Sequence, residues 1–298
     1  MVEGENEMRV LVTGNKGFIG HHLIKFLEAK GHNVRGADME IDLRNPNNAL
    51  ISTMDCDWVF NLAALNGNIE FTTNHKEIIH NNALVNLNMA QACKKNKVKR
   101  VFFSSSACVY PVDLQDANTV YPLSEEDAYP ANCDTEYGWE KLFAEHIWLT
   151  SGLDVRIARY FNIYGPEGNL DPLYSKAPLA LTQKVLSGKD VKIWGDGDQK
   201  RSFLYIQDCL EATYALMESD ITGPINIGSP DLMTINELVD LIAEVSGVEV
   251  NKTHQLDKVQ GVRTRHSDNT KAKELLNWER KVEPREGLRE VIKWIKSL

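Results

Sequence analysis

The stretch TGNKGFIG, Thr13 to Gly20, limits what this chain can fold into more than any other. It joins an apolar run, Arg9 to Val12, that reads as a buried strand to an amphipathic stretch that reads as a helix. Gly14, Gly17 and Gly20 allow a tight turn, close approach of a pyrophosphate to the backbone, and close packing of the helix on a sheet, with Phe18 and Ile19 opening that helix. Asp38 ends a second strand, NVRGAD, roughly 20 residues further on, where a carboxylate can accept hydrogen bonds from an adenosine ribose. Its charge repels a ribose phosphate, so the pattern favours NAD over NADP, although Arg35 nearby keeps NADP open.

The alternation continues. DWVFNLAA reads as a strand, HKEIIHNNALVNLNMAQACKKN as a long helix, VKRVFFSSS as a strand, TEYGWEKLFAEHIWLTSG as a helix and LDVRIARYF as a strand. This order implies a Rossmann-type doubly wound parallel sheet with helices on both faces, an α/β fold. After Asn162 the pattern loosens into segments rich in Gly, Pro and Asp, with helices at ALTQKVLSG, IQDCLEATYALMES, TINELVDLIAEVSG, NTKAKELL and REGLREVIKWIKSL. We therefore expect a dinucleotide-binding domain over 1–162, to which later segments can return, and a smaller mixed α/β substrate domain over 163–298 on the carboxyl edge of the sheet. In the cofactor loops, Asp42 and Leu43 of IDLRNP stand where the chain can meet an adenine, an ordinary surface turn being the equal alternative. Leu62, Ala63 and Ala64 of NLAA are small or apolar residues at a strand end that a cofactor can approach.

A formal charge of −9 opposes non-specific binding to nucleic acid or an anionic membrane, while leaving room for a local basic pocket. The start, MVEGENEM, is acidic and polar, reads as a short frayed terminus, and carries no leader pattern; a cytoplasmic protein is the expectation. Five cysteines without paired spacing argue for free thiols and against a metal site, so a reactive cysteine has to be found by its neighbours.

YGWEK places Tyr137 and Lys141 one helical turn apart on one face. A free phenol titrates near about 10, and a neighbouring ammonium together with a positive nicotinamide ring favours the phenolate, a usable base for alcohol oxidation. Ser106, ending the strand VFFSSS, can hydrogen-bond the same substrate hydroxyl.

TGNKGFIG, NLAA, SSSACVYP, YGWEK, RYFNIYGP and GDGDQKRSFLYIQD, in this order along nearly the whole chain, resemble the extended short-chain dehydrogenase/reductases of the nucleotide-sugar epimerase and dehydratase group. The resemblance implies Tyr137, Lys141 and Ser106 as the catalytic set, Asn82 as a helix position supporting the cofactor side of the site, and Asn162 as a substrate contact. The 4,6-dehydratases carry an acid pair after the serine; here Ala107 and Cys108 stand there, so dehydration lacks its acid and base. Cysteine at that position, the segment SKAP with Lys176, and GVRTRHSDN are similar to the GDP-mannose 3,5-epimerases.

Oxidising C4 of a sugar acidifies the protons on C3 and C5, and inverting either carbon requires one group to remove a proton and another to return one on the opposite face. Cys108 and Lys176 suit those two roles. Arg201, Arg263 and Arg265 are candidates for the nucleotide diphosphate. Gly67 and Asn68 stand in the presumed sugar pocket, in a stretch, LNGNIEFTTNH, that departs from the related epimerases.

The implied activity is NAD-dependent 3,5-epimerisation of GDP-mannose or a related GDP-sugar, a GDP-heptose included. A UDP-sugar 4-epimerase (UDP-glucose/galactose type) is the alternative, and a non-catalytic NAD-binding protein a distant third. The two long helices have enough apolar surface for a four-helix homodimer contact, as the resemblance also implies.

Overall fold

The computed structural model describes residues 7–116, 119–188 and 190–298; most of the polar stretch expected to fray lies outside them. Six strands form one sheet in the order Pro224–Ile227, Val155–Tyr160, Arg100–Ser106, Trp58–Asn61, Arg9–Thr13, Asn33–Ala37, and every neighbouring pair is parallel. The chain leaves Thr13 towards one edge and leaves Asn61 towards the other. The order therefore reverses between these two strands, and a crevice opens at their carboxyl ends, the ligand side of open α/β sheets.

Both faces of the sheet are covered, which explains why its strands read as apolar runs without alternation. Val10, Val12, Phe60 and Phe102 pack with Leu23 and Leu27 of the helix Phe18–Ala29 and with Leu210 and Leu216 of the helix Ile206–Glu218. Leu11, Val59, Val101 and Phe103 pack on the opposite face with Met89 and Cys93 of the helix Ile78–Lys95 and Trp148 of the helix Glu136–Thr150. At the far end of the sheet, Asp57 accepts from the backbone N–H and the guanidinium of Arg9, both at 3.0 Å, and pairs with Lys99 at 3.0 Å.

The strand Pro224–Ile227 and the helices Ile206–Glu218 and Thr270–Leu276 lie beyond residue 162 and return to this sheet. The remaining elements build a second core from Leu179, Val185, Ile193, Leu238, Ile242, Leu288 and Ile292. Between the two cores lies a four-stranded sheet in the order Leu232–Thr234, Lys200–Ser202, Thr264–Ser267, Pro122–Leu123. The sequence reading had no strands here, because each is only two to four residues long. Among the described residues no helix is long and apolar enough to cross a membrane.

Candidate active site

The glycine turn is as tight as its sequence requires. Gly14 has φ +68°, and a Cβ there would sit 3.0 Å from the backbone of Ala63, at the end of the neighbouring strand segment. A Cβ on Gly20 would lie 2.2 Å from the Gly14 carbonyl oxygen, so the helix can start this close to the strand only with glycine. Gly17 is the N-cap, no side chain caps the helix, and its first turn contains no acidic residue, which leaves Phe18, Ile19 and Gly20 presenting backbone N–H groups to an anion. Asp38 accepts from the Lys16 N–H at 2.7 Å and the Met39 N–H at 2.8 Å, which holds its carboxylate beside the glycine turn.

Arg35, which kept NADP open, is spent elsewhere: its guanidinium donates to the carbonyls of Ser52 (2.8 Å) and Met54 and to the Cys56 sulfur (3.1 Å). These features fit NAD, a bound group that would lie along the glycine turn with its ribose on Asp38. Thr13, which sequence reading missed, supports the cradle: its hydroxyl donates to Asn61 Oδ1 at 2.9 Å and accepts from the N–H groups of Leu62 and Ala63 at 3.1 Å. Ala64 follows in the same strand end.

The adenine loop departs from expectation. Asp42 pairs with Arg44 at 2.8 Å, and that hydrogen bond holds its carboxyl below the usual range. Leu43 is buried in the core with Val59 and Met89, which leaves its backbone as the part that can meet a base.

Tyr137, Lys141, Ser106 and Cys108 come together as the motif spacing requires. A Cβ on Gly138 would fall 2.2 Å from the Cys108 carbonyl oxygen, so this glycine lets the catalytic helix press against the turn that carries the cysteine. Ser106 caps that turn, its Oγ accepting from the Cys108 N–H at 3.2 Å, and its hydroxyl favours the ionised form of the Tyr137 phenol. Lys141 donates to the Ser104 carbonyl at 3.0 Å and stands 5.6 Å from the centre of the Tyr137 ring, so it gives the phenol no direct hydrogen bond. Burial pushes the phenol well above its ordinary value and pulls Lys141 down. Ser106 offsets part of this rise, and the positive nicotinamide ring that the cradle would place beside the phenol would lower it further.

Lys176, the N-cap residue of the helix Ala177–Leu186, reaches back across the cleft and donates to the Gly67 carbonyl at 2.6 Å. The residue as a whole is exposed, yet desolvation of its ammonium end against Gly67 pulls it below the ordinary lysine value, and the charge of Cys108 acts the other way. The two side chains proposed for opposite faces of a sugar thus converge on one cleft. Gly67 has no room for a side chain, since a Cβ would lie 2.5 Å from the Phe71 ring. Asn68 was expected to contact substrate, but its side chain is used up: Oδ1 accepts from the Phe71 N–H at 2.8 Å and Nδ2 donates to the Pro172 carbonyl at 3.0 Å. It joins the two lobes instead. Asn162 has φ +44° and donates from Nδ2 to the Ser202 carbonyl at 2.8 Å.

The three arginines separate. Arg265 is buried and donates to Cys108 Sγ at 3.1 Å, to Gln115 Oε1 at 2.7 Å and to Asp134 at 2.9 Å, so it serves the cysteine and is not a free arm for a diphosphate. Arg263 is exposed and bound to both Asp196 oxygens at 2.8 Å, again because a carboxylate lies closer than the cleft. Arg201 alone of the three makes no hydrogen bond to a carboxylate. Its hydrogen bonds run to the carbonyls of Lys200, Val262 and Arg263, and desolvation of its guanidinium together with the nearby Arg265 pulls it down to about 9. A half-buried cation bonded only to carbonyls suits an anionic ligand.

Asn82 lies beneath the site, accepting from the Leu65 N–H at 2.7 Å and donating to the Leu65 carbonyl at 3.0 Å. It positions the strand end from behind. Away from the cleft residues named above, His21, His22 and Glu167 bring ligand atoms within 4.8 Å of one another, but Lys25 already donates to that carboxylate at 3.0 Å.

A parallel sheet with this glycine turn, Asp38, and a Ser106–Tyr137–Lys141 set defines a short-chain dehydrogenase/reductase. The chain belongs to the NAD dependent epimerase/dehydratase family, whose model matches residues 10–228. It is 38% identical to GDP-mannose 3,5-epimerase 1 of Oryza sativa subsp. indica, over 98% of this chain and 82% of the relative. Its fold is similar to that of UDP-glucose 4-epimerase from Thermotoga maritima in complex with UDP-glucose, with a TM-score of 0.88 and 26% identity over 97% of this chain and 99% of the other. It is also similar to UDP-glucuronic acid 4-epimerase from Bacillus cereus, a complex with UDP-glucuronic acid and NAD, with a TM-score of 0.85 and 26% identity over 97% and 99%.

Proposed function

We propose that the protein is an NAD-dependent isomerase that inverts C5, C3 or both of GDP-mannose or a closely related GDP-sugar, a GDP-heptose included, through a transient 4-keto intermediate. The observation that carries this reading is the convergence of Cys108 and Lys176 on one cleft beside Tyr137. A 4-epimerase has no use for such a pair, because its keto sugar only has to rotate. The likeness to the rice GDP-mannose 3,5-epimerase over nearly the whole chain supports the same choice.

NAD supplies the acceptor, and later the donor, of the C4 hydride. Tyr137 takes the C4 hydroxyl proton, with Ser106 holding that hydroxyl in line. Once C4 is a ketone, one of Cys108 and Lys176 removes the proton on C5 or C3 and the other delivers a proton to the opposite face; return of hydride to C4 and of the proton from Tyr137 closes the cycle without net redox. Where Lys176 is the base it acts in its neutral form, which desolvation of its ammonium end favours. Arg201 receives the diphosphate.

The test is incubation with GDP-mannose in deuterated water, with C3 and C5 followed by proton NMR in the wild type and in the Cys108→Ala and Lys176→Ala variants. Deuterium entering C5 or C3, and absent from both variants, is the expected result. Full activity of the variants would sink it. The backbone likeness to the Thermotoga UDP-glucose 4-epimerase motivates a second arm with UDP-sugars, where inversion at C4 without deuterium would establish the alternative.

We further propose a homodimer. Leu84 and Leu87 on the helix Ile78–Lys95, and Trp139 and Phe143 on the helix Glu136–Thr150, are exposed on two helices packed side by side. A second copy meeting this face would form a four-helix contact. Its place of action is proposed to be the cytoplasm, a reading that the free cysteines support.

A further inference from the structure

A carboxylate that the chemistry above does not use lies behind the Tyr137–Lys141 pair. Glu140 is fully buried on the catalytic helix. Its Oε1 accepts from Asn86 Nδ2 at 3.0 Å and its Oε2 from Asn82 Nδ2 at 3.3 Å. Neither amide can turn round. Asn82 is held by both polar groups of the Leu65 backbone, while Asn86 Oδ1 accepts from Asn61 Nδ2 at 2.9 Å and Trp148 Nε1 at 3.0 Å. Both therefore aim N–H groups at position 140, which only an acceptor can meet. Beyond Asn61 the chain of bonds runs to Thr13 and so to the Leu62 and Ala63 N–H groups of the cofactor cradle.

Burying an anion costs several kcal/mol, and two neutral amide donors offset that only in part. A leucine at 140 with apolar partners would be the simpler way to pack this helix. The charge has a counterpart in Lys141, the next residue, on which Glu140 acts. The other ionisable groups around the pair are Cys108, from the turn, and Glu145, which is committed to Arg159 at 2.7 Å and to Ser105. The facing helix Ile78–Lys95 contributes only the two amides to Glu140, and the strand Arg100–Ser106 contributes the Ser104 carbonyl to Lys141.

We propose that Glu140 is a positioning residue for the Tyr137–Lys141 pair, its buried anion holding Lys141 as a cation and its hydrogen bonds to Asn82 and Asn86 locking the catalytic helix to the cofactor cradle. The proposal rests on the reading of Tyr137 and Lys141 as the oxidising pair and is independent of which sugar is used. Burial already pulls Lys141 down and pushes Tyr137 up; Glu140 acts against the first effect and adds to the second. Removing its charge should therefore let both groups lose their protons at lower pH.

The test is an ultraviolet difference titration of the tyrosinate in the NAD-loaded protein, with Tyr137→Phe as the blank that isolates this phenol. In Glu140→Gln the Tyr137 midpoint is expected to move to lower pH by about one unit, the size of a nearby-charge effect. A folded, NAD-loaded Glu140→Gln with the wild-type midpoint overturns the assignment. A wild type whose Tyr137 does not titrate ahead of the other tyrosines sinks the reading of the pair, and this proposal with it. If Glu140→Gln alone does not fold, Asn86→Asp/Glu140→Gln restores a matched acceptor and shifts the anion to a side chain facing Asn61 and Trp148. Its midpoint is expected below that of the wild type by a smaller amount, and an unmoved value there also overturns the proposal.

Discussion

Lys176 is where local desolvation and chemistry meet most directly. A lysine acts as a base only when neutral, and desolvation of its ammonium end lowers the pH at which this one loses its proton. Proton exchange at C5 or C3 should therefore rise with pH and level off below the ordinary lysine value of 10.5. Lys176→Arg keeps the charge but cannot deprotonate, so the exchange rate measured by deuterium uptake is expected to fall by about 100-fold or more. Cys108 and Lys176 stand out in the sequence because each sits in a short motif, SSSACVYP and SKAP. Arg265 was not legible in the same way. It lies 157 residues from Cys108, and nothing in GVRTR says that the last arginine faces a sulfur while the first faces Asp196. Arg265→Met strips Gln115 and Asp134 of a buried partner, for which about 3–5 kcal/mol of stability should be lost, read as a lower denaturant midpoint.

Among the elements, the helix Glu136–Thr150 depends on a residue that has no chemistry of its own. Gly138→Ala sets a methyl group 2.2 Å from the Cys108 carbonyl, where only backbone movement can relieve it. The expected cost is about 1–3 kcal/mol in unfolding free energy. Turnover should fall further than stability does, because the movement separates Tyr137 from the cysteine turn; calorimetry and an epimerase assay on the same sample read the two losses. At the opposite end of the sheet, Arg9 and Lys99 hold the Asp57 carboxyl well below its ordinary range. With its folded value depressed, Asp57 contributes stability above the unfolded carboxylate value of about 3.9 and loses that contribution as pH falls towards the folded value. Asp57→Asn should accordingly lower the melting temperature at neutral pH and flatten its decline in acid. Long, strongly patterned elements of this kind were read correctly from the sequence. The strands Lys200–Ser202 and Thr264–Ser267 were not, since three or four residues rich in Lys, Arg and Ser carry no period, and their pairing is set by contacts far along the chain.

For the molecule as a whole, the sheet-bearing lobe was evident from the alternation of strand and helix, but the return of Pro224–Ile227 as its sixth strand was not. PINI is too short to declare a partner, and only the exposed edge of Val155–Tyr160 gives it one. If two copies meet through the helices Ile78–Lys95 and Glu136–Thr150, Phe143→Asp puts a charge into that contact and should give a monomer by light scattering, with the circular dichroism of the fold retained. The cleft itself has a practical consequence. Arg201 is a half-buried cation whose hydrogen bonds run only to carbonyls, beside a second cation, Arg265, in a chain whose formal charge is −9. Such a spot draws in whatever anion is at hand, so the spent nucleotide diphosphate and inorganic phosphate in a buffer should both compete with substrate. Rates measured in phosphate should then understate the enzyme, with KM raised and kcat untouched, and Arg201→Gln should be indifferent to the choice of buffer.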